Sequence, residues 1–423
     1  MSPLDIVILT NAPGEIATWV RPVVKALRQT LETDTDRVRI SVVLSPCPHS
    51  TGKEAQIAAS YSEIDRVQAA ENFFPFLLWG KTTNRWDWRD RGIVIFLGGD
   101  QFYTLVIGKR LGYRTLVYAE WEARWYRYLD AFAVMNEGVI QKVPPQYHHK
   151  FTVVGDLIAD IVLEVAETSV DTITESDPTV IGLLPGSKPA KLMQGIPLCL
   201  AIAEKLGALQ SDIRFILPVA PTLDRATLVH YARPEHNSLI PRLGGVTGEL
   251  ITEEQPYLLT SGGTKISLIS EFPAYQQLLG CKLCVTTVGA NTAELGSLGI
   301  PMIVLLPTQQ LDAMRSWDGI PGILANLPLL GTSFAKLINA YVIGQKRLFA
   351  WPNIWAKTEI VPELIGNLNP QEIALKIIDY LQHPEELKTI RDRLIACRGK
   401  CGAASKITEI ITQKLIQHNS TNF

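Results

Sequence analysis

Three short stretches set a glycine and a charged residue directly after an apolar, β-prone run. In IGLLPGSKPAKL, Gly186 is followed by Ser187 and Lys188, with Lys191 one turn further on. Glycine lets backbone approach a ligand closely, and the free N–H groups of a following helix N-terminus attract an anion. Ser187 adds a hydroxyl donor and the lysines add positive charge, a set suited to a pyrophosphate although it is neither a P-loop nor G-x-G-x-x-G. A plain βα turn would use the same residues. In TTVGANTAELGSLGIP, Gly289 turns the chain into a helix whose first turn is expected to carry Glu294. An acid there either complements the helix dipole, worth about 0.3–1 kcal/mol, or accepts both hydroxyls of a ribose. The third stretch, ILTNAPGEIATW, sets Gly14 and Glu15 at the end of the first apolar run.

Such turns work only if strands and helices hold them in register. The chain alternates short apolar runs (DIVILT, RISVVLS, GIVIFLGG, RTLVYAE, DAFAVMN, FTVVG) with amphipathic segments, one of them from roughly Glu15 to Thr30. That alternation predicts βα units around a buried, mostly parallel sheet. VAETSVDTITESDPT is polar and core-poor, as a linker is, and the pattern restarts after it with TVIGLLPG, RFILPVA, CKLCVTT and PMIVLL. Two doubly wound α/β domains follow: 1–165, a linker 166–179, and 180–423, with the last helices able to pack back on the first domain. Ligands of such sheets bind at the carboxyl ends of strands, and a cleft between the two domains is the expected site.

At 423 residues, 47% hydrophobic and 19% charged, the chain is too long for one core and too apolar for disorder. A net charge of -2 leaves no basic field to hold nucleic acid. Cys281 and Cys284 form a lone CxxC without a second ligand pair, so neither zinc nor a disulfide framework is expected among the six cysteines. MSPLDIVILT reads as a first strand rather than a signal peptide, and no run reaches the ~18 apolar residues of a membrane span. A cytoplasmic protein, soluble or attached to a membrane surface, is the expectation.

Taken together, the LLPGSK and GANTAELGSLGIP turns resemble the donor half of a GT-B glycosyltransferase. More closely, the chain resembles the lipid-A-disaccharide synthase family, in the altered form carried by related proteins of cyanobacteria and plants. WPNIWAKTEIVPEL, from Trp351 to Leu364, is the most specific match, and VVGDLIAD and GKCGAASKITEII also correspond. The resemblance implies a UDP-sugar donor with no bound metal. It sets Gly186 and Ser187, with Lys188, at the diphosphate, Gly289, Asn291 and Thr292 at the nucleotide, Glu294 at the ribose, and Asn353 and Glu363 at the uridine or sugar end. FLGGDQF puts Asp100 where the family has an Asp at a strand end. GEIATW keeps Gly14 and Glu15 but has Ala17, Thr18 and Trp19 where the family has Ser-Gly-Asp, so the acceptor side departs from the pattern.

The reaction so implied is transfer of a sugar, of N-acetylglucosamine or glucose type, to a hydroxyl of a lipid or lipid-linked acceptor with inversion. A single displacement needs a base, for which Asp100 is the first candidate and Glu15 the second; an N-cap role for Asp100 is the structural alternative. ENFFPFLLWGKTTNRWDWR interleaves Phe76, Trp79 and Trp86 with Lys81, Arg85 and Arg89, as EWEARWYRYLDAF does again. That suits an anionic membrane interface, or equally a buried helix with a solvated end. UDP-sugar 2-epimerases use the same fold, and a non-catalytic UDP-sugar or lipid binder is the third reading.

Overall fold

LDIVILT becomes strand β1 (Leu4–Thr10), buried along its whole length because it runs through the middle of a sheet. The other strands of that sheet are β2 (Val38–Leu44), β3 (Arg66–Gln68), β4 (Gly92–Phe96), β5 (Arg114–Ala119), β6 (Ala131–Val134) and β7 (Phe151–Val153). Their order is β3-β2-β1-β4-β5-β6-β7, parallel throughout. The computed structural model describes residues 3–31, 36–47, 50–166, 178–307 and 347–417, so most of the expected linker lies outside the described residues. The chain divides into two units, Met1–Ser169 with Gly399–Phe423, and Val170–Arg398.

The second unit is built on β8 (Val180–Leu184), β9 (Arg214–Pro218), β10 (Gly248–Ile251), β11 (Tyr257–Thr260), β12 (Lys265–Ile269), β13 (Leu283–Thr287), β14 (Met302–Pro307) and β15 (Glu363–Gly366). Their order is β10-β11-β12-β9-β8-β13-β14-β15. Five of these strands, β9, β8, β13, β14 and β15, run parallel, with β12 parallel to β9, while β10, β11 and β12 form an antiparallel meander. The meander is not expected from the apolar runs. Its strands are short and bury only alternate residues, as in KISLI, so no continuous hydrophobic run marks them. Helix Pro189–Leu209 is long and apolar enough to cross a membrane by length and composition, which the run count missed. Within the second unit it is instead a core helix, with Leu192, Ile196, Leu200 and Leu206 fully buried.

The first unit is pinned from below by a buried charge. Asp5 is wholly inaccessible; it pairs with Arg39 at 2.8 Å and accepts from Arg89 N–H at 2.9 Å and Tyr113 O–H at 2.8 Å. This ties the 80–91 loop under the sheet. Arg66 sits over the Trp86 and Trp88 rings at 4.4 and 5.1 Å, and Trp88 stacks on Phe76. Phe76 is therefore a core residue, 0% exposed, and Trp86 is half-buried packing for an arginine. Neither is free to enter a membrane, contrary to expectation, because the helical period turns Phe73, Phe76 and Leu77 inward. Phe74, Leu78 and Trp79 of the same helix, Phe73–Trp79, stay outside.

The last helix, Ala403–Gln417, belongs to the first unit. Asp160, in the VVGDLIAD segment, accepts the N–H groups of Gly402, Ala403 and Ala404, satisfying donors that a helix start leaves without intrahelical partners.

Candidate functional site

In an open parallel sheet the crevice forms where the strand order reverses. The first sheet reverses between β1 and β4, and the second between β8 and β13. The three glycine turns singled out in the sequence follow β1, β8 and β13, and FLGGDQF, which carries Asp100, follows β4.

In the first unit, the chain leaves β1 through Asn11, turns at Pro13–Glu15 and continues as one helical run to Thr30 through a π-helical segment, Ile16–Val20. The Gly14 carbonyl accepts the Thr18 hydroxyl at 2.9 Å. Glu15 folds back so that Oε2 accepts Ala12 N–H at 3.0 Å. Its carboxylate fills the space beside Gly98, where a Cβ would lie 2.5 Å from Oε2. The β1 and β4 turns are thus in contact, and Gly98 takes φ +153°, a conformation L side chains rarely adopt. Burial pushes the Glu15 carboxyl up to about 7.

Asp100 behaves differently. It caps helix Gln101–Leu111, accepting Phe102 N–H at 2.9 Å, and lies 3.7 Å from Arg124 with 42% of its side chain exposed. The capping alternative is realised, leaving Asp100 an ion-paired, solvated carboxylate. Two acids escaped the sequence reading. Glu120, at the carboxyl end of β5, is raised to about 7 by burial and by repulsion from Asp156 and Glu15. Asp156 is raised to about 6, chiefly by burial. The rule that pointed to Asp100, an acid ending a strand, applied equally to RTLVYAE. Thr10 Oγ1, Asn11 Oδ1 and Trp19 Nε1 are buried without a hydrogen-bond partner among the described residues. Unpaired buried polar atoms are uncommon, and these three lie in the segment that contains Glu15.

In the second unit, β8 and β13 are neighbours, with Leu184 opposite Thr286, so the LLPGSK and TTVGANT turns emerge side by side. Gly186 takes φ +97° and Gly289 φ +154°, both conformations suited to glycine. Ser187 and Lys188 lead into helix Pro189–Leu209. Thr292 donates its hydroxyl to Gly289 C=O at 2.8 Å and accepts Trp351 N–H at 3.1 Å, bracing the turn rather than lining it. Asn291 is half-buried on the first turn of helix Ala290–Leu298.

Glu294 falls on the second turn of that helix, not the first as expected, because the helix begins at Ala290 with Gly289 as its cap. Dipole effects fade beyond the first turn. Its carboxylate has no hydrogen-bond partner among the described residues, and burial raises it to about 7. Asn353 and Glu363, placed by resemblance near the uridine or sugar end, are bonded to each other and to the surrounding backbone. Asn353 is 0% exposed; it donates to Val361 C=O and Glu363 Oε1 and accepts from Ile360 and Val361 N–H. Glu363 accepts from Phe349 and Ala350 N–H. WPNIWAKTEIVPEL therefore reaches the site through Trp351 and Thr292.

No family model matches the chain. A lipid-A-disaccharide synthase of Nitrosococcus oceani is 23% identical over 230 residues, 54% of this chain and 46% of that protein. One of Anaeromyxobacter sp. is 38% identical over 84 residues, 20% of this chain and 22% of that protein. This chain is related to the lipid-A-disaccharide synthases. It spans about half or less of the length of these lipid-A-disaccharide synthases. Among solved structures, a protein of Listeria monocytogenes described as a candidate UDP-N-acetylglucosamine 2-epimerase superposes with a TM-score of 0.52 at 13% identity, covering 100% of this chain and 98% of that one. That likeness speaks for the fold, and the fold is GT-B, with two Rossmann-like domains.

Proposed function

We propose that this relative of the lipid-A-disaccharide synthases transfers a sugar from a UDP-sugar to a hydroxyl of a lipid or lipid-linked acceptor, with inversion. The observation that carries the reading is the pairing of two glycine turns at the β8/β13 switch point beside Glu294, a carboxylate with no protein partner among the described residues. Two turns suit a diphosphate, and an unpaired carboxylate nearby suits the vicinal hydroxyls of a ribose. Lys188, Ser187 and the N-terminus of helix Pro189–Leu209 carry the charge of the departing diphosphate in this reading, without a metal ion. Glu15 replaces Asp100 as the preferred base. A base works best when its pKa lies near the operating pH, and the Glu15 carboxyl is held near 7 while Asp100 is committed to a cap and an arginine. Thermal-shift assays with UDP, GDP and ADP test the donor half. Stabilisation by UDP alone supports it, and equal or no stabilisation by the three refutes it.

A lipid-linked acceptor fits the aromatic surface of the first unit and an attachment to the cytoplasmic face of an anionic membrane. Trp79 is 64% exposed, and so in part are Leu78, Phe102, Trp121, Trp125 and Tyr128, with Phe102 against Trp125 and Lys109 over the Tyr128 ring at 5.5 Å. Arg110 adds a basic group beside this surface, donating to Leu78 C=O at 2.7 Å. Aromatic rings interleaved with basic groups favour the headgroup region. Trp79→Ser should weaken co-sedimentation with phosphatidylglycerol-containing vesicles and leave the melting temperature unchanged. Phe76→Ser, by contrast, should cost ~3 kcal/mol or more of stability by emptying the core. Wild-type protein that ignores the vesicles ends the membrane reading.

A further inference from the structure

We propose that Lys191 receives the donor diphosphate, exchanging a hydrogen bond to the Val288 carbonyl for one to a phosphate oxygen and thereby coupling the two glycine turns to the ligand. The inference rests on the nucleotide reading above and names a residue within that site.

Lys191 lies in the first turn of helix Pro189–Leu209, yet its side chain serves the other turn. A Cβ added at Gly186 would lie 3.0 Å from Lys191 Cβ and Cδ, and one at Gly289 would lie 2.7 Å from Nζ. The stem therefore runs along one glycine and the ammonium rests against the other, where Nζ donates to Val288 C=O. An ammonium has three donors, and that carbonyl is its one hydrogen-bond acceptor among the described residues. Thr287 Oγ1, buried and without a partner, lies 3.0 Å from the same Gly186 position. A phosphate beside Gly186 would meet bare backbone, a free hydroxyl and an ammonium together.

The electrostatics agree. Burial, and then repulsion from Lys188, lower the Lys191 ammonium to about 8. The charged groups on the adjoining segments are Lys188, on the same turn, and Glu294, on the helix after β13, itself raised to about 7. An ammonium short of solvent and close to a like charge gains from a neighbouring dianion, so nucleotide binding should raise its pKa. The sign follows: the contribution is complete below pH 8 and is lost as pH rises above it.

Isothermal titration of the full chain with UDP between pH 7.5 and 9.5 tests this. Wild-type affinity should fall by up to about tenfold per pH unit above pH 8. Lys191→Arg, which does not titrate there, should bind UDP with a flat profile. Lys191→Met should bind at pH 7.5 about tenfold or more weakly, and also flatly, while uridine, lacking phosphate, binds all three alike. The same slope in Lys191→Arg as in wild type, or undiminished UDP affinity in a folded Lys191→Met, overturns the assignment and leaves the nucleotide reading intact. UDP that fails to bind wild type at any pH overturns both. Should Lys191→Met not fold, the Lys191→Arg profile decides alone.

Discussion

Replacing Glu15 with Gln should lower sugar transfer by roughly a hundredfold to ten-thousandfold, the usual worth of a general base, while UDP binding stays unchanged. The nucleotide residues are on another sheet, and Gln retains an oxygen able to accept the Ala12 N–H. The pH dependence separates a catalytic from a structural role. A base must be ionised, so wild-type turnover should rise with pH through about 7 and level off above it, following the burial-raised carboxyl. Stability should move the other way. A carboxyl raised from its ordinary value of 4.5 contributes most when protonated, and that contribution is lost as pH climbs through 7. Gln, neutral at every pH, should therefore make the protein more stable than wild type at pH 8. Unaltered turnover in Glu15→Gln, with Asp100→Asn inactive, would return the base to Asp100. Glu120, raised to about 7 partly by repulsion from Glu15, titrates in the same range, so the rise of activity through pH 7 should persist in Glu120→Gln.

The second large effect concerns Glu294. Replacement by Ala should weaken UDP binding about tenfold or more, since hydrogen bonds to a charged group are worth about 1.5–3 kcal/mol each. The ribose assignment predicts a further pattern. Wild type should bind UDP more tightly than 2′-deoxy-UDP, and Glu294→Ala should bind the two alike. Because the carboxylate has no partner among the described residues and is raised by burial, its removal should leave stability at pH 8 equal or higher. A folded-state role would give the reverse: lost stability, with the preference for the 2′-hydroxyl retained. Calorimetric titration and urea denaturation of one variant decide between them.

Much of this site was legible before any fold was known, for a physical reason. A βα turn is local: the strand's apolar run, the glycine that bends the chain and the helix that follows are contiguous, so LLPGSK and TTVGANT announced themselves. Two doubly wound domains followed from the repetition of that local grammar, and the resemblance carried by the turns implied GT-B. Asp100 shows the limit of local reading. An acid at a strand end is placed alike whether it works as a base or as a cap, and only the distances to Phe102 N–H and Arg124 separate the two. Phe76 and Trp79 stand three residues apart in one aromatic stretch; the packing of Trp88 and the sheet put one in the core and left the other in solvent.

What tertiary structure decided was adjacency between segments distant along the chain. The sequence alone determined that two glycine turns follow apolar runs, one suited to a pyrophosphate and the other followed by an acid. It did not determine that β8 and β13, about a hundred residues apart, are hydrogen-bonded neighbours, as parallel register makes them. That neighbourhood lets Lys191 lie along Gly186 and Gly289 at once. Nor did it show that Glu15 occupies the space a side chain at residue 98 would need, or that Glu120 and Asp156 share its electrostatic environment. The elevated carboxyls and the lowered lysine are products of burial, which a linear chain does not possess until each sheet is folded and covered.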